Sequence, residues 1–128
     1  MSETKINDPN YNAICEHVRE TGYLVSTAAL LEWDQQTKMP ALASDYRSEQ
    51  IMHLAGIIHE RKTDPRVGEW LGNLADSPLA ENPLSEAGAT IRILKREYEK
   101  RVKLPATLVM ELAKAASVGQ SQWVEARK

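Results

Sequence analysis

One cysteine, no phenylalanine and 5% aromatic residues make this 128-residue sequence unusual first for what it lacks. A lone Cys15 has no second cysteine for an internal disulfide and cannot build a cysteine zinc site, which points to a reducing cytoplasm. No long hydrophobic run is present. The opening Met1-Ser2-Glu3-Thr4-Lys5 is polar and leads into no apolar stretch, and no window approaches the roughly twenty apolar residues of a membrane span. Secretion and membrane insertion are thereby disfavoured. An excess of one charge is missing too: 16 Lys and Arg against 18 Asp and Glu leave −2, so no global basic field exists to hold nucleic acid or an anionic membrane. A Gly-rich phosphate loop is likewise absent.

What is there is an ordinary globular composition, 42% hydrophobic and 27% charged, in a chain long enough to bury roughly two thirds of its unfolded surface without metal or disulfide staples. We therefore expect a single helical domain over residues 1–128, with aliphatic residues and alanine filling its core. Asp8-Pro9, Asp64-Pro65 and Asn82-Pro83 each put a capping side chain before a proline, the residue best tolerated in a first helical turn. After Pro9, Ile14, Val18, Val25, Ala28/Ala29 and Leu30-Leu31 recur every three to four residues. This spacing predicts a long first helix, weakly interrupted at Gly22 and ending before Met39-Pro40. Ser44 is the expected cap of a second helix that carries Arg47, Ile51, Leu54, Ala55 and Ile58 and ends near Lys62. A short third helix from Pro65 turns Val67, Leu71 and Leu74 inward, and residues 76–83 read as a loop. Leu84, Ala87, Ile91, Leu94, Tyr98 and Val102 then predict a fourth helix. Past Leu104-Pro105, the run Leu108, Leu112, Ala115/Ala116, Gly119 and Trp123 predicts a fifth. No stretch alternates at strand period, so the expected fold is all-α, with four to five helices and an antiparallel hairpin formed by the last two. The final helical pattern carries no stop signal, as expected of a segment of something longer.

Few residues offer chemistry. His59-Glu60-Arg61-Lys62-Thr63 is half of an HExxH motif, in which two imidazoles one turn apart share a metal. Thr63 stands where the second ligand belongs. His53 lies six residues before His59, roughly 120° away around a helix, so the three histidines are expected to face solvent or make hydrogen bonds. Cys15 neighbours Glu16 and His17, but adjacent helical residues point about 100° apart and do not pair. Glu32 and Asp34 read as surface or interface carboxylates. The locally basic run Arg92, Lys95, Arg96, Lys100, Arg101 and Lys103 is interleaved with Glu97 and Glu99 at helical pairing distance, which reads as a solvated face.

Particular words go further. Leu30-Leu31-Glu32-Trp33-Asp34-Gln35-Gln36-Thr37-Lys38-Met39-Pro40 resembles the N-terminal signature of the carboxypeptidase Taq family of thermostable metallocarboxypeptidases. His59 through Gly68 resembles a second block of that family. Lys95-Arg96-Glu97-Tyr98 through Leu104-Pro105-Ala106, and Gln122 through Lys128, resemble a third, so the likeness runs over roughly residues 20–128. Lys38, Ala41-Leu42 and residues 72–88 depart from the family pattern.

The resemblance implies a metallocarboxypeptidase that removes residues one at a time from peptide C-termini, with a divalent metal, zinc or cobalt, activating water. It also implies that the metal motif lies in a missing C-terminal portion. This chain would then be the groove-covering N-terminal helical region: no catalytic or metal-ligating residue of its own, no cofactor, inactive alone, and assembled as a homo-oligomer, a dimer. The alternative is a free-standing helical oligomerisation or interaction module derived from that family. Trp33, Asp34 and Gln35 are the candidate interdomain or groove contacts. The competing reading is that Trp33 plugs the local core while Asp34 and Gln35 satisfy nearby backbone groups.

Overall fold

Asp8 starts the first helix as its side chain chemistry requires. Its Oδ1 accepts the backbone N–H groups of Asn10 at 2.9 Å and Tyr11 at 3.1 Å, two donors that a first helical turn otherwise leaves unpaired. The structure, a computed structural model, describes residues 6–128. Helix α1 runs Pro9–Thr37 and passes through Gly22 without a break. Gly costs a helix only about 1 kcal/mol relative to Ala, too little to interrupt one this long. The helix ends as Lys38 and Met39 both donate to the Asp34 carbonyl and Pro40 stops continuation.

A single 3-10 turn, Ala41–Ala43, leads into α2, Ser44–Lys62. Ser44 does not cap as expected: it is the first helical residue, and its Oγ donates to the Ala41 carbonyl at 2.9 Å. Helix α3, Pro65–Ala75, is capped by Asp64, which accepts from the Arg66 N–H as the sequence predicts. A second 3-10 turn, Pro78–Ala80, sits in the expected loop. Helix α4, Glu86–Arg101, is capped by Ser85 through the Gly88 N–H. Asn82, the expected cap, instead accepts from Leu84 in the turn that precedes it. Helix α5 spans Ala106–Ala126. Among the described residues there is no strand. The all-α class, the long N-terminal helix and the existence of the last two helices are as the periodicity predicts, with α4 and α5 falling in different compact units.

The chain divides into two compact units. The first combines the described residues up to Glu20 with Arg61–Lys103. Val67, Leu71 and Leu74 recur along one face of α3 and pack with Ile14 of α1 and Ile91 of α4, while Tyr11, Cys15, Trp70, Leu94 and Tyr98 close around them. A large side chain removed from water in this way contributes roughly 1.5–3 kcal/mol before entropy costs. Gly68 permits a close approach, since a Cβ there would stand 2.7 Å from the Tyr98 hydroxyl.

The second unit joins Thr21–Glu60 to Leu104–Lys128. Its interior differs in kind: Ile51 is buried together with Thr21, Ser48, His59 and Ser117. Gly56 lets Met110 of α5 press onto α2, where a Cβ would meet its sulfur at 2.8 Å. The inward seam of α1 explains the polarity. Ile14, His17, Thr21, Leu24, Ala28, Leu31 and Gln35, all buried or half-buried, follow a three-four alternation along that helix. Val18, Val25 and Leu30, expected on the apolar stripe, are exposed.

Candidate functional site

The last turns of α1 send three consecutive side chains in different directions, as 100° steps around a helix require. Trp33 is 55% exposed. Asp34 turns to α2 and pairs with Arg47 at 2.9 Å, and the same guanidinium nitrogen donates to the Leu31 carbonyl at 2.9 Å, tying down the end of α1. The Arg47 Nε donates to Gln50 at 3.0 Å, which fixes the guanidinium plane. Gln35 turns inward.

Gln35 is the centre of a buried polar cluster. Its amide nitrogen donates to the Ser117 carbonyl at 2.9 Å and to Ser121 Oγ at 3.0 Å, while its oxygen accepts from Ser117 Oγ at 3.0 Å. Because the Ser117 hydroxyl proton is used on Gln35, the 2.9 Å contact with Ser48 Oγ has Ser48 as donor. Both Gln35 amide protons and the Ser117 and Ser48 hydroxyl protons then have defined acceptors, in a low-dielectric setting where an unpaired group is costly. Ser48, Ser117 and Ser121 were not found by sequence reasoning. Ser48 and Ser117 lie 69 residues apart, and no local pattern marks an isolated serine as buried. Beside the cluster opens a cleft of about 270 Å³, lined by Glu32, Gln35 and Gln36 of α1, Ile51 of α2, and Ala113, Ala116, Ser117 and Gln120 of α5.

The histidines are committed elsewhere. His17 Nε2 donates to the Arg61 carbonyl at 2.7 Å, and Arg61 reaches back to His17 Nδ1 at 3.4 Å and to Glu20 at 3.1 Å. His59 Nε2 donates to the Leu104 carbonyl at 2.9 Å. His53 lies exposed, 3.9 Å from Glu49. Among the described residues no group of three or more His, Cys, Asp or Glu could hold a metal ion. The nitrogen of His59 that would serve an HExxH metal is held on a backbone carbonyl, and its sequence partner is Thr63, so these residues do not fit a catalytic metal.

Around His17 the first unit gathers aromatic and charged groups. The Trp70 ring meets the imidazole edge-on at 5.6 Å, and the Arg66 guanidinium lies 5.7 Å from the Trp70 centroid. Hydrogen bonds from the Arg66 side chain and backbone pull the Asp64 carboxyl down to about 2, which keeps the α3 cap ionised. Burial pushes the Tyr11 phenol and the Cys15 thiol up, so Cys15 is a packed thiol, not an activated nucleophile. Burial, with the Arg101 charge nearby, pushes Lys62 down. Arg92, Lys95, Arg96 and Lys100 along α4, and Lys103 just past its end, are exposed.

Comparison with known proteins gives one consistent answer. A family model described as carboxypeptidase Taq (M32) metallopeptidase matches residues 13–128. The chain is 44% identical over 117 residues to Thermostable carboxypeptidase 1 of Thermus thermophilus, an alignment that covers 91% of this chain and 23% of that protein. It is 26% identical over 112 residues to Carboxypeptidase 1 of Bacillus subtilis, covering 86% of this chain and 22% of that protein. The chain thus spans less than a quarter of the length of either relative.

Proposed function

This chain belongs to the carboxypeptidase Taq (M32) metallopeptidase family, and from that premise we propose that it is the N-terminal helical portion of a metallocarboxypeptidase releasing residues from peptide C-termini. The observation that carries the reading is the coverage: 91% of the chain aligns to 23% of the Thermus enzyme. The family implies a divalent metal for the full-length protein. In this reading that metal, zinc or cobalt, is held outside these 128 residues, because His59 is spent on the Leu104 carbonyl and Thr63 replaces the second histidine. The chain alone is then inactive. Incubation with zinc or cobalt and a C-terminally unblocked peptide should release no amino acid, and metal-dependent release by the pure chain would overturn the proposal.

Trp33 supports the same reading. A wide indole left 55% exposed beside two anchored neighbours suits contact with a downstream part of the enzyme. Leu108, Leu112, Trp123 and Val124 of α5 are also exposed, and apolar surface of that extent favours association. We therefore read the protein as a homodimer in the cytoplasm, where the lone Cys15 stays reduced. Light scattering at high micromolar concentration should give twice the monomer mass; a monomer counts against the dimer. The same exposed residues favour the second reading, a free-standing interaction module. Reading the gene past the codon for Lys128 separates the two: a continuing frame with HExxH supports the enzyme, an immediate stop the module.

A further inference from the structure

The cleft in the second unit owes its existence to short side chains. Ala113, Ala116 and Ser117 recur at three- and four-residue steps on α5, opposite Glu32, Gln35 and Gln36 at the same steps on α1, with Ile51 at the base. Its chemistry is lopsided. Ile51, Ala113 and Ala116 are apolar, whereas the α1 wall carries one carboxylate and two amides and the α5 wall adds Ser117 and the Gln120 amide. Gln35 is fully spent on Ser117 and Ser121, so it forms a fixed wall. Gln36 and Gln120 make no hydrogen bond within the described residues, and Glu32 makes no ion pair there. The neighbouring cations are taken: Arg47 by Asp34 at 2.9 Å and Lys114 by Glu49 at 2.8 Å.

We propose that this cleft binds a cationic head on an aliphatic stem, the chemistry of an arginine or lysine side chain. The stem lies on Ile51, Ala113 and Ala116, since long basic side chains bury their methylenes on apolar surface while keeping the head solvated. The head meets the Glu32 carboxylate and the amide oxygens of Gln36 and Gln120, a charge-assisted arrangement stronger than a neutral one. An anion is repelled by Glu32. A purely apolar ligand would strip water from the carboxylate and amides without replacing those hydrogen bonds. The volume, about 270 Å³, falls just below the roughly 300–1,000 Å³ of sites for larger ligands and suits one side chain. The site needs neither metal nor peptide cleavage and stands apart from the carboxypeptidase reading.

The test titrates the full 128-residue chain, followed by backbone amide NMR, with N-acetyl-arginine amide, N-acetyl-lysine amide, agmatine and the neutral N-acetyl-norleucine amide. Saturable shifts confined to residues 32–36 and 113–120 are expected for the three cations, with norleucine amide at least about tenfold weaker. Agmatine matching the capped arginine assigns recognition to head and stem alone, while a tighter capped arginine places the ligand in a peptide; either supports the site. Glu32→Gln should weaken the cations about tenfold and leave norleucine amide unchanged. Ala116→Leu, which fills the cleft from an exposed position on α5, should abolish binding with unchanged thermal unfolding. Equal binding of norleucine amide, an unaltered affinity in Glu32→Gln, or no saturable shift at these residues overturns the proposal.

Discussion

The two units of this chain solve the problem of an interior with different materials. Around α3 and α4, Ile14, Val67, Leu71, Leu74, Ala87 and Ile91 are buried, and His17 is the polar exception. In the unit containing α2 and α5, Ile51 shares the interior with Thr21, Ser48, His59 and Ser117. Exposure runs the opposite way. Tyr23, Val25, Leu30, Trp33, Leu108, Leu112, Trp123 and Val124 all face outward in that second unit. The first unit is therefore stabilised by removal of apolar surface from water, which is non-directional and scales with area. The second relies on directional hydrogen bonds between small residues, which fix register but add only about 0.5–1.5 kcal/mol each. More of its large apolar groups stand in solvent, so the two units differ both in what fills the interior and in what is left outside.

The sharpest way to break this contrast is Leu74→Ala. Leu74 is 0% exposed, and such truncations typically cost about 2–5 kcal/mol through lost transfer energy and the residual cavity. Chemical unfolding of the variant should show that loss; a cost below about 1 kcal/mol would mean the first unit lacks a tight core. Gln35→Ala comes next. It removes two donors and an acceptor from the serine cluster, and leaving such groups buried without partners costs about 1–3 kcal/mol. A loss as large as that of Leu74→Ala would show that the polar interior is not the weaker one. Smallest is Trp33→Ala, expected to change stability by under about 0.5 kcal/mol because 55% of the residue is already in solvent. A cost of several kcal/mol in thermal unfolding would place Trp33 in the core and end its candidacy as a contact for the rest of an enzyme.

Much of the fold could be read before any coordinates. The Asp8-Pro9 and Asp64-Pro65 starts hold because an aspartate before proline supplies an acceptor where helices have spare donors. The α3 face of Val67, Leu71 and Leu74 is the core it was expected to be, since apolar spacing there is unambiguous. In α1 the same reasoning was right for Ile14, Ala28 and Leu31 and wrong for the rest of the stripe. Val18, Val25 and Leu30 keep helical spacing, yet the inward seam runs through His17, Thr21 and Gln35. Apolar periodicity finds an inward face only when that face is the apolar one.

Sequence alone determined the helical class, the helix boundaries to within a few residues and the family, because capping, proline and local spacing are short-range and leave their mark in consecutive residues. Only the tertiary structure decided the fates of Gln35, Ser48, Ser117 and His59. Their partners lie 45 to 86 residues away along the chain, and a polar side chain carries no local sign of which distant carbonyl or hydroxyl will take its proton. Burial of such groups becomes affordable only when the whole set is brought together, and that is a property of packing, which no window of the sequence contains.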